Sequence, residues 1–227
     1  MNKDLTELIF ILDRSGSMRG LESDTIGGYN GMLAKQKKEP GEAKITTVLF
    51  DDRYELLHNR LNVRSIKPIT EKDYFVRGCT ALLDAVGNTI NTIINVQKHT
   101  AAEERAEHVM FVITTDGMEN ASREFSYEQV RQLIEQQKSK YGWEFIFLGA
   151  NIDAINTAER FGISKDRATN FHADSKGTSL NYEVINETVS DLRASRPIAK
   201  DWKQRIDEDF KQRQTGQRPA PAKRKNS

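Results

Sequence analysis

The chain has 227 residues, of which 37% are hydrophobic and 30% charged, and its formal net charge is +1. This composition is typical of a globular protein with a charged surface, and the balanced charge gives no general attraction to nucleic acid or membranes. One cysteine excludes an intrachain disulfide framework, and no apolar run reaches the ~18 residues that a membrane helix needs. The N-terminal residues lead directly into the first predicted strand and leave no room for a signal peptide, so we expect a cytoplasmic protein.

Strands and helices alternate along the chain in the order expected of an α/β protein. Apolar runs predict strands at 8–12, 44–50, 54–58, 108–115, 143–149 and 168–171. Helical spacing of apolar residues predicts helices at 22–38, 80–98, 126–138, 153–161 and 179–192. Asp51 and Asp52 predict a turn that makes the third strand antiparallel at a sheet edge. The alternation predicts a Rossmann-like, doubly wound, mostly parallel sheet with one antiparallel edge strand and helices on both faces.

Changes in composition along the chain predict its domain organisation. Residues 1–193 are predicted to form the α/β domain, and residues 194–211 a C-terminal helix with Trp202 and Ile206 on one face. That helix either packs on the domain or docks on a partner, and the sequence leaves both open. Residues 212–227 contain no acidic and no large apolar residue, which predicts a disordered basic tail.

Oxygen-bearing side chains follow two of the most apolar strands. Asp13, Ser15 and Ser17 occupy alternate positions directly after the first strand, and Asp116 follows the fourth. Thr80 opens a helix, where its hydroxyl is placed to act as an N-cap. Carboxyl ends of parallel strands share one edge of the sheet, so we expect all five side chains on one rim. Short oxygen ligands of this kind suit Mg²⁺.

These residues resemble the motifs of the von Willebrand factor A domain. The family has a D-x-S-x-S loop, a distant threonine and a T-D-G aspartate, and this chain has each of them in the same order. The resemblance implies a stand-alone, cytoplasmic domain with a metal-ion-dependent adhesion site that binds Mg²⁺ or Mn²⁺. It implies hydroxyl ligands from Ser15, Ser17 and Thr80. Asp13 and Asp116 would act directly or through water.

The function implied by the resemblance, which covers about residues 4–193, is metal-dependent protein binding without catalysis. One coordination position of the metal ion stays open in this family, and a carboxylate from a partner protein fills it. Neutral hydroxyl ligands leave the charge of the cation under-compensated, which favours such an anionic ligand. Partners such as AAA+ ATPases or stress-response assemblies follow by analogy, whereas a membrane or nucleic-acid partner is not expected.

Two other functions compete with this interpretation. A metal-dependent phosphatase or hydrolase of the haloacid dehalogenase type needs D-x-D after its first strand, and Ser15 occupies the second position here. The proton donor is therefore absent. Nucleic-acid binding through the basic tail is the other alternative, but the tail lacks the aromatic residues that would favour it over a docking role.

Three further residues lie near the predicted rim. Arg14 either flanks the bound carboxylate or is a solvated loop residue. Asn120 is expected to hold the loop after Asp116 rather than to contact the metal. Asp84 either reaches the rim or stabilises the start of its helix through the helix dipole.

Overall fold

The computed structural model describes residues 1–216, which form a single six-stranded sheet with helices around it. The strands are β1 (Asn2–Asp13), β2 (Glu42–Phe50), β3 (Tyr54–Asn62), β4 (Ala106–Thr115), β5 (Glu144–Ala150) and β6 (Ala168–Phe171). The helices are α1 (Glu22–Gln36), α2 (Leu82–His99), α3 (Tyr127–Tyr141), α4 (Ala154–Arg160), α5 (Ser175–Arg193) and α6 (Gln204–Gly216). Within the described range, no helix has the length and hydrophobicity to span a membrane.

The strand order β3-β2-β1-β4-β5-β6 places β1 in the middle of the sheet. All neighbouring strands are parallel except β2 and β3, which pair as an antiparallel hairpin at the edge. The predicted fold class is therefore confirmed. The chain builds outward from β1 on one side and then crosses to β4 on the other. This reversal creates a switch point at the carboxyl ends of β1 and β4, where ligands bind in such sheets.

The two faces of the sheet carry separate hydrophobic cores. Leu8 and Phe10 of β1 belong to the core covered by α1 and α5, whereas Ile9 and Ile11 belong to the core covered by α2 and α3. Successive strand residues point to opposite faces, so the unbroken apolar run of β1 fills both cores. Burial on both faces makes β1 a rigid support for the loop that follows Asp13.

Local side-chain contacts set the starts of two helices, one of them four residues away from its predicted position. Helix α5 begins at Ser175, one turn before the predicted residue 179, because the side chain of Asp174 accepts a hydrogen bond from the backbone of Gly177 at 2.9 Å. Helix α3 starts at its predicted capping box, with reciprocal bonds between Ser126 and Gln129.

The C-terminal helix packs on the domain. Ile206 is 2% exposed and belongs to the core on the α1 and α5 side, and the ring of Phe210 lies 4.7 Å from that of His172. The helix also runs past residue 212, where the tail was predicted to begin. Arg213 stabilises this last part, because it forms an ion pair with Asp174 at 2.6 Å. The remainder of the predicted disordered tail, residues 217–227, lies outside the described residues.

Candidate metal centre

Asp13 ends β1 and is held there by two hydrogen bonds. Its Oδ1 accepts from the backbone N–H of Ser15 at 2.7 Å, and its Oδ2 accepts from Thr115 Oγ1 at 2.5 Å. The side chain is 1% exposed, and this burial raises its pKa from an ordinary value of 3.8 to about 6, although both hydrogen bonds oppose the rise. Because Thr115 ends β4, the bond between the two side chains connects the ends of the two central strands.

Three hydroxyl groups meet beside this carboxylate. Ser15 Oγ lies 3.0 Å from Ser17 Oγ, and Thr80 Oγ1 donates to Ser15 Oγ at 3.0 Å. The prediction that Thr80 caps α2 is wrong, because Ala81 is the N-cap residue and makes no side-chain cap. The hydroxyl of Thr80 points instead to the serine of the first loop, which brings residues 65 positions apart into contact.

Asp116 completes the group, and the Ser17 hydroxyl is the side-chain donor that lies near its carboxylate. Asp116 is 2% exposed, and no donor in the described residues reaches either carboxylate oxygen with hydrogen-bond geometry. Burial raises the pKa of Asp116, and the neighbouring hydroxyl of Ser17 opposes that rise in part. The next residue is a glycine whose missing side chain leaves space: a Cβ atom on Gly117 would lie 2.8 Å from Thr80 Oγ1 and 3.0 Å from Ser17 Oγ.

The five residues together have the chemistry of a site for a hard divalent cation. Hydroxyl and carboxylate oxygens are the ligands that Mg²⁺ and Mn²⁺ prefer. The unpaired buried carboxylate of Asp116 is costly unless a cation or donor meets it, and Gly117 keeps open the space next to the hydroxyls. Residues 1–216 contain no cluster of three or more His, Cys, Asp or Glu side chains that could bind a metal. A cation at this position would therefore depend on the hydroxyl groups.

The loop after β4 positions Thr80 and the start of α2. Asn120 Oδ1 accepts from the backbone N–H of Thr80 at 2.9 Å, and the backbone N–H of Asn120 donates to the Thr80 carbonyl at 3.0 Å. This confirms that Asn120 holds the loop. Asp84 binds the same loop, because its carboxylate accepts from three consecutive backbone N–H groups at residues 123–125.

The capping role of Glu119 was missed by the sequence analysis. Its Oε2 accepts from the backbone N–H of Leu83 at 2.8 Å, in the first turn of α2. A carboxylate at a helix N-terminus satisfies an unpaired N–H and interacts favourably with the helix dipole. The two residues are 36 positions apart, so no local sequence signal links them.

The interpretation of Arg14 as a solvated loop residue is wrong, because its side chain is fully buried and forms ion pairs, whereas a role beside a bound carboxylate stays a prediction. Its Nε lies 2.9 Å from Asp51 Oδ2, and its Nη2 lies 2.7 Å from Glu55 Oε2. Arg77 reaches the same oxygen of Asp51 at 2.7 Å. Burial acts to raise the pKa of Asp51, but the hydrogen bonds from Arg77 and Arg14 outweigh it and hold that pKa below its ordinary value. The ion pairs fasten the loop after β1 to the β2–β3 hairpin.

Comparison with known proteins finds no match by sequence and several solved structures with a similar fold. No family model and no curated protein matches the sequence. Among solved structures, proximal thread matrix protein 1 from the mussel byssus, with a zinc-occupied MIDAS motif, shares 14% identity at a TM-score of 0.56 over 82% of this chain and 46% of that one. Manganese-loaded TRAP protein of Plasmodium vivax shares 15% identity at a TM-score of 0.54, over 79% of this chain and 73% of that one.

A third similar structure is the von Willebrand factor type A protein of Catenulispora acidiphila. It shares 12% identity at a TM-score of 0.53, over 82% of this chain and 42% of that one. This chain thus spans less than half the length of the mussel and Catenulispora chains. The sheet and its helices therefore have the fold of von Willebrand factor A domains.

Proposed function

We propose that this chain is a metal-dependent protein–protein interaction module that binds an acidic residue of its partner through Mg²⁺ or Mn²⁺. The observation that carries the proposal is the carboxylate of Asp116, which is buried and accepts no hydrogen bond of good geometry in the described residues, although the Ser17 hydroxyl lies near it. Burying a charged group without a partner is unfavourable, so a cation beside the carboxylate would offset the free-energy penalty of its desolvation. The adjacent hydroxyl groups and Gly117 support the same interpretation.

The ion would be held by the side chains predicted from the sequence, directly or through water: Asp13, Ser15, Ser17, Thr80 and Asp116. When bound, it would supply an electropositive position that attracts an anionic oxygen. The protein's own part is to keep its oxygens in place, as the bond from Thr115 does for Asp13. A phosphatase of the haloacid dehalogenase type would need an acidic residue at the position of Ser15. We therefore infer binding and not catalysis.

The partner required by this proposal is a protein with an accessible Asp or Glu side chain. The mussel and Plasmodium structures contain zinc and manganese, respectively, and those metals belong to those proteins. For this chain we propose Mg²⁺ or Mn²⁺ because its donor atoms are all oxygens. An AAA+ ATPase or a stress-response assembly would be a partner by analogy with the family.

Substitution of Gly117 by alanine tests the metal site without changing any charge or ligand. The added methyl group would lie 2.8 Å from Thr80 Oγ1, within the space between the hydroxyls. Calorimetric titration with Mg²⁺ and Mn²⁺ should show saturable binding to wild type and at least about tenfold weaker binding to Gly117→Ala. Gly31→Ala is the matched control, because a methyl group there meets nothing within 4 Å.

The titrations are repeated with acetate as a generic carboxylate ligand. The proposal predicts that acetate raises metal affinity in wild type, because the ion and the anion bind together. Equal metal binding by wild type and Gly117→Ala would contradict the metal site. Metal binding that acetate leaves unchanged would contradict carboxylate capture while keeping the metal site.

A further inference from the structure

A groove of about 570 Å³ lies at the opposite end of the sheet from Asp13 and Asp116. It is formed by the C-terminal parts of α2 and α3, the beginning of β4, and Trp143, which directly precedes β5. Apolar side chains from all of these elements line it, including Ile94, Val109 and Leu133. This volume falls in the range of small-molecule sites, which combine apolar walls with a few polar groups.

Three basic side chains line the same groove: Lys98, Arg105 and Lys140. In the described part of the chain none of them forms an ion pair with a carboxylate. Arg105 donates its Nε–H to the backbone carbonyl of Thr100 at 2.9 Å, and Lys140 lies over the ring of Tyr141. The one acidic lining residue, Glu107, leaves the groove with net positive charge. The groove therefore favours an anionic ligand.

Trp143 adds a hydrogen-bond donor to the apolar lining. Its ring stacks on Phe111 with the ring centres 5.5 Å apart, and the side chain is 6% exposed. Among the residues described, none accepts a hydrogen bond from the indole N–H. The indole N–H is not among the fully buried unpaired groups and is therefore accessible from the groove, where it can donate to an acceptor oxygen of a ligand.

We propose that the groove binds an amphipathic carboxylate, such as an acyl or aryl carboxylate. The apolar part of the ligand lies on the apolar lining, and its carboxylate faces the three basic side chains. The chain's own last residues, 217–227, do not suit this position because they include four basic residues and no acidic one. The proposal is independent of the metal site.

The test compares three ligands with the same eight-carbon chain and different head groups: octanoate, 1-octanol and octyltrimethylammonium. The protein has two tryptophans, so a Trp202→Phe variant reports from Trp143 by its fluorescence. Octanoate should change this fluorescence saturably and bind about fivefold more tightly than octanol, as expected for one or two exposed ion pairs. The cationic ligand should bind most weakly. Calorimetry on wild type repeats the comparison without the Trp202 substitution.

A charge reversal then locates the ligand. Lys140→Glu should weaken octanoate binding by about fivefold or more and leave octanol binding unchanged. Lys67→Glu makes the same change of charge at an exposed position away from the groove and should have no effect. Octanoate that binds no better than octanol, or equally well to Lys140→Glu, would overturn the proposal. So would the absence of saturable octanoate binding to wild type.

Discussion

At the residue scale, Asp13 is the group whose environment has the clearest consequence for stability. Burial raises its pKa in the folded, metal-free protein to about 6 from an ordinary value of 3.8. The folded state thus binds the proton more tightly than the unfolded state does. The resulting stabilisation is complete below pH ~4 and is lost as the pH rises through about 6.

Asp13→Asn should remove this pH dependence, because the amide is neutral at every pH. In the presence of a chelator, the variant should have a free energy of unfolding at pH 8 about 2 kcal/mol higher than wild type, and little advantage at pH 4. Urea unfolding at the two pH values measures this difference. Burial also raises the pKa of Asp116. The stability of the Asp13→Asn variant therefore keeps a smaller pH dependence, which comes from Asp116.

The control for this prediction is Asp4→Asn, which removes one carboxylate at an exposed position. It should follow the wild-type pH profile. The prediction is wrong if Asp13→Asn retains the full fall in stability between pH 4 and pH 8. That result would mean that the Asp13 carboxylate is as well solvated in the folded protein as in the unfolded one.

Arg14 shows which residue roles the sequence does not reveal. Its position inside the D-x-S-x-S loop favoured a role at the rim or in solvent, whereas the structure pairs it with Asp51 and Glu55. An arginine buried between two carboxylates has no local signature, because its partners come from the hairpin 37 and more residues away. The sequence pattern describes neighbours in the chain, and this ion pair depends on neighbours in space.

At the element scale, the loop after β4 and the start of α2 form one hydrogen-bonded unit. Asn120 and Thr80 exchange two bonds, and Glu119 binds the first turn of the helix. The unit fixes the distance between Thr80 and Asp116, which come from different elements. Side chains that orient the proposed metal ligands are expected to affect metal affinity more than stability.

Asn120→Ala should therefore weaken Mg²⁺ binding about tenfold, because Thr80 loses the acceptor for its backbone N–H. The loss of one partly buried hydrogen bond should lower the free energy of unfolding by only about 1 kcal/mol. Calorimetry and urea unfolding measure the two effects. Asn59→Ala, at an exposed position of β3, is the control. Unchanged affinity in Asn120→Ala would show that Thr80 is positioned without this bond.

The elements themselves were largely predictable. The antiparallel β2–β3 hairpin and the capping box of α3 follow from local turn and capping chemistry, and the structure contains both. The start of α2 was not predictable, because its N–H groups are bonded by Glu119 and Ser122 from a loop more than 30 residues later. Local sequence indicates an end of a helix reliably when the cap is local.

At the scale of the whole molecule, α6 makes the C-terminal extension part of the folded unit. It lies beside β6, where Thr169 donates to Asp207 at 2.6 Å, and against α5. Its residue Ile206 is buried in the same core as β1. We therefore expect α6 to unfold together with the sheet.

Ile206→Ala should lower the free energy of unfolding by about 2 to 4 kcal/mol, as for other buried aliphatic truncations. Urea unfolding should retain a single transition when followed by circular dichroism and by tryptophan fluorescence. Leu61→Ala, at a side chain that is 43% exposed, should cost less than about 1 kcal/mol. A similarly small effect of Ile206→Ala would indicate that the helix contributes little to the stability of the domain and separates from it in solution.

The sequence by itself determined the order of strands and helices and identified the five oxygen-bearing residues of the rim. Apolar runs, turn residues and the D-x-S-x-S and T-D-G motifs are local patterns, and their chemistry is readable without a fold. Their role as metal ligands stays a prediction. The tertiary structure alone decided that Thr80 bonds Ser15, that Asp116 accepts no hydrogen bond of good geometry in the described residues, and that α6 packs on the sheet. These features depend on burial and on partners far apart in the chain, which local sequence patterns do not record.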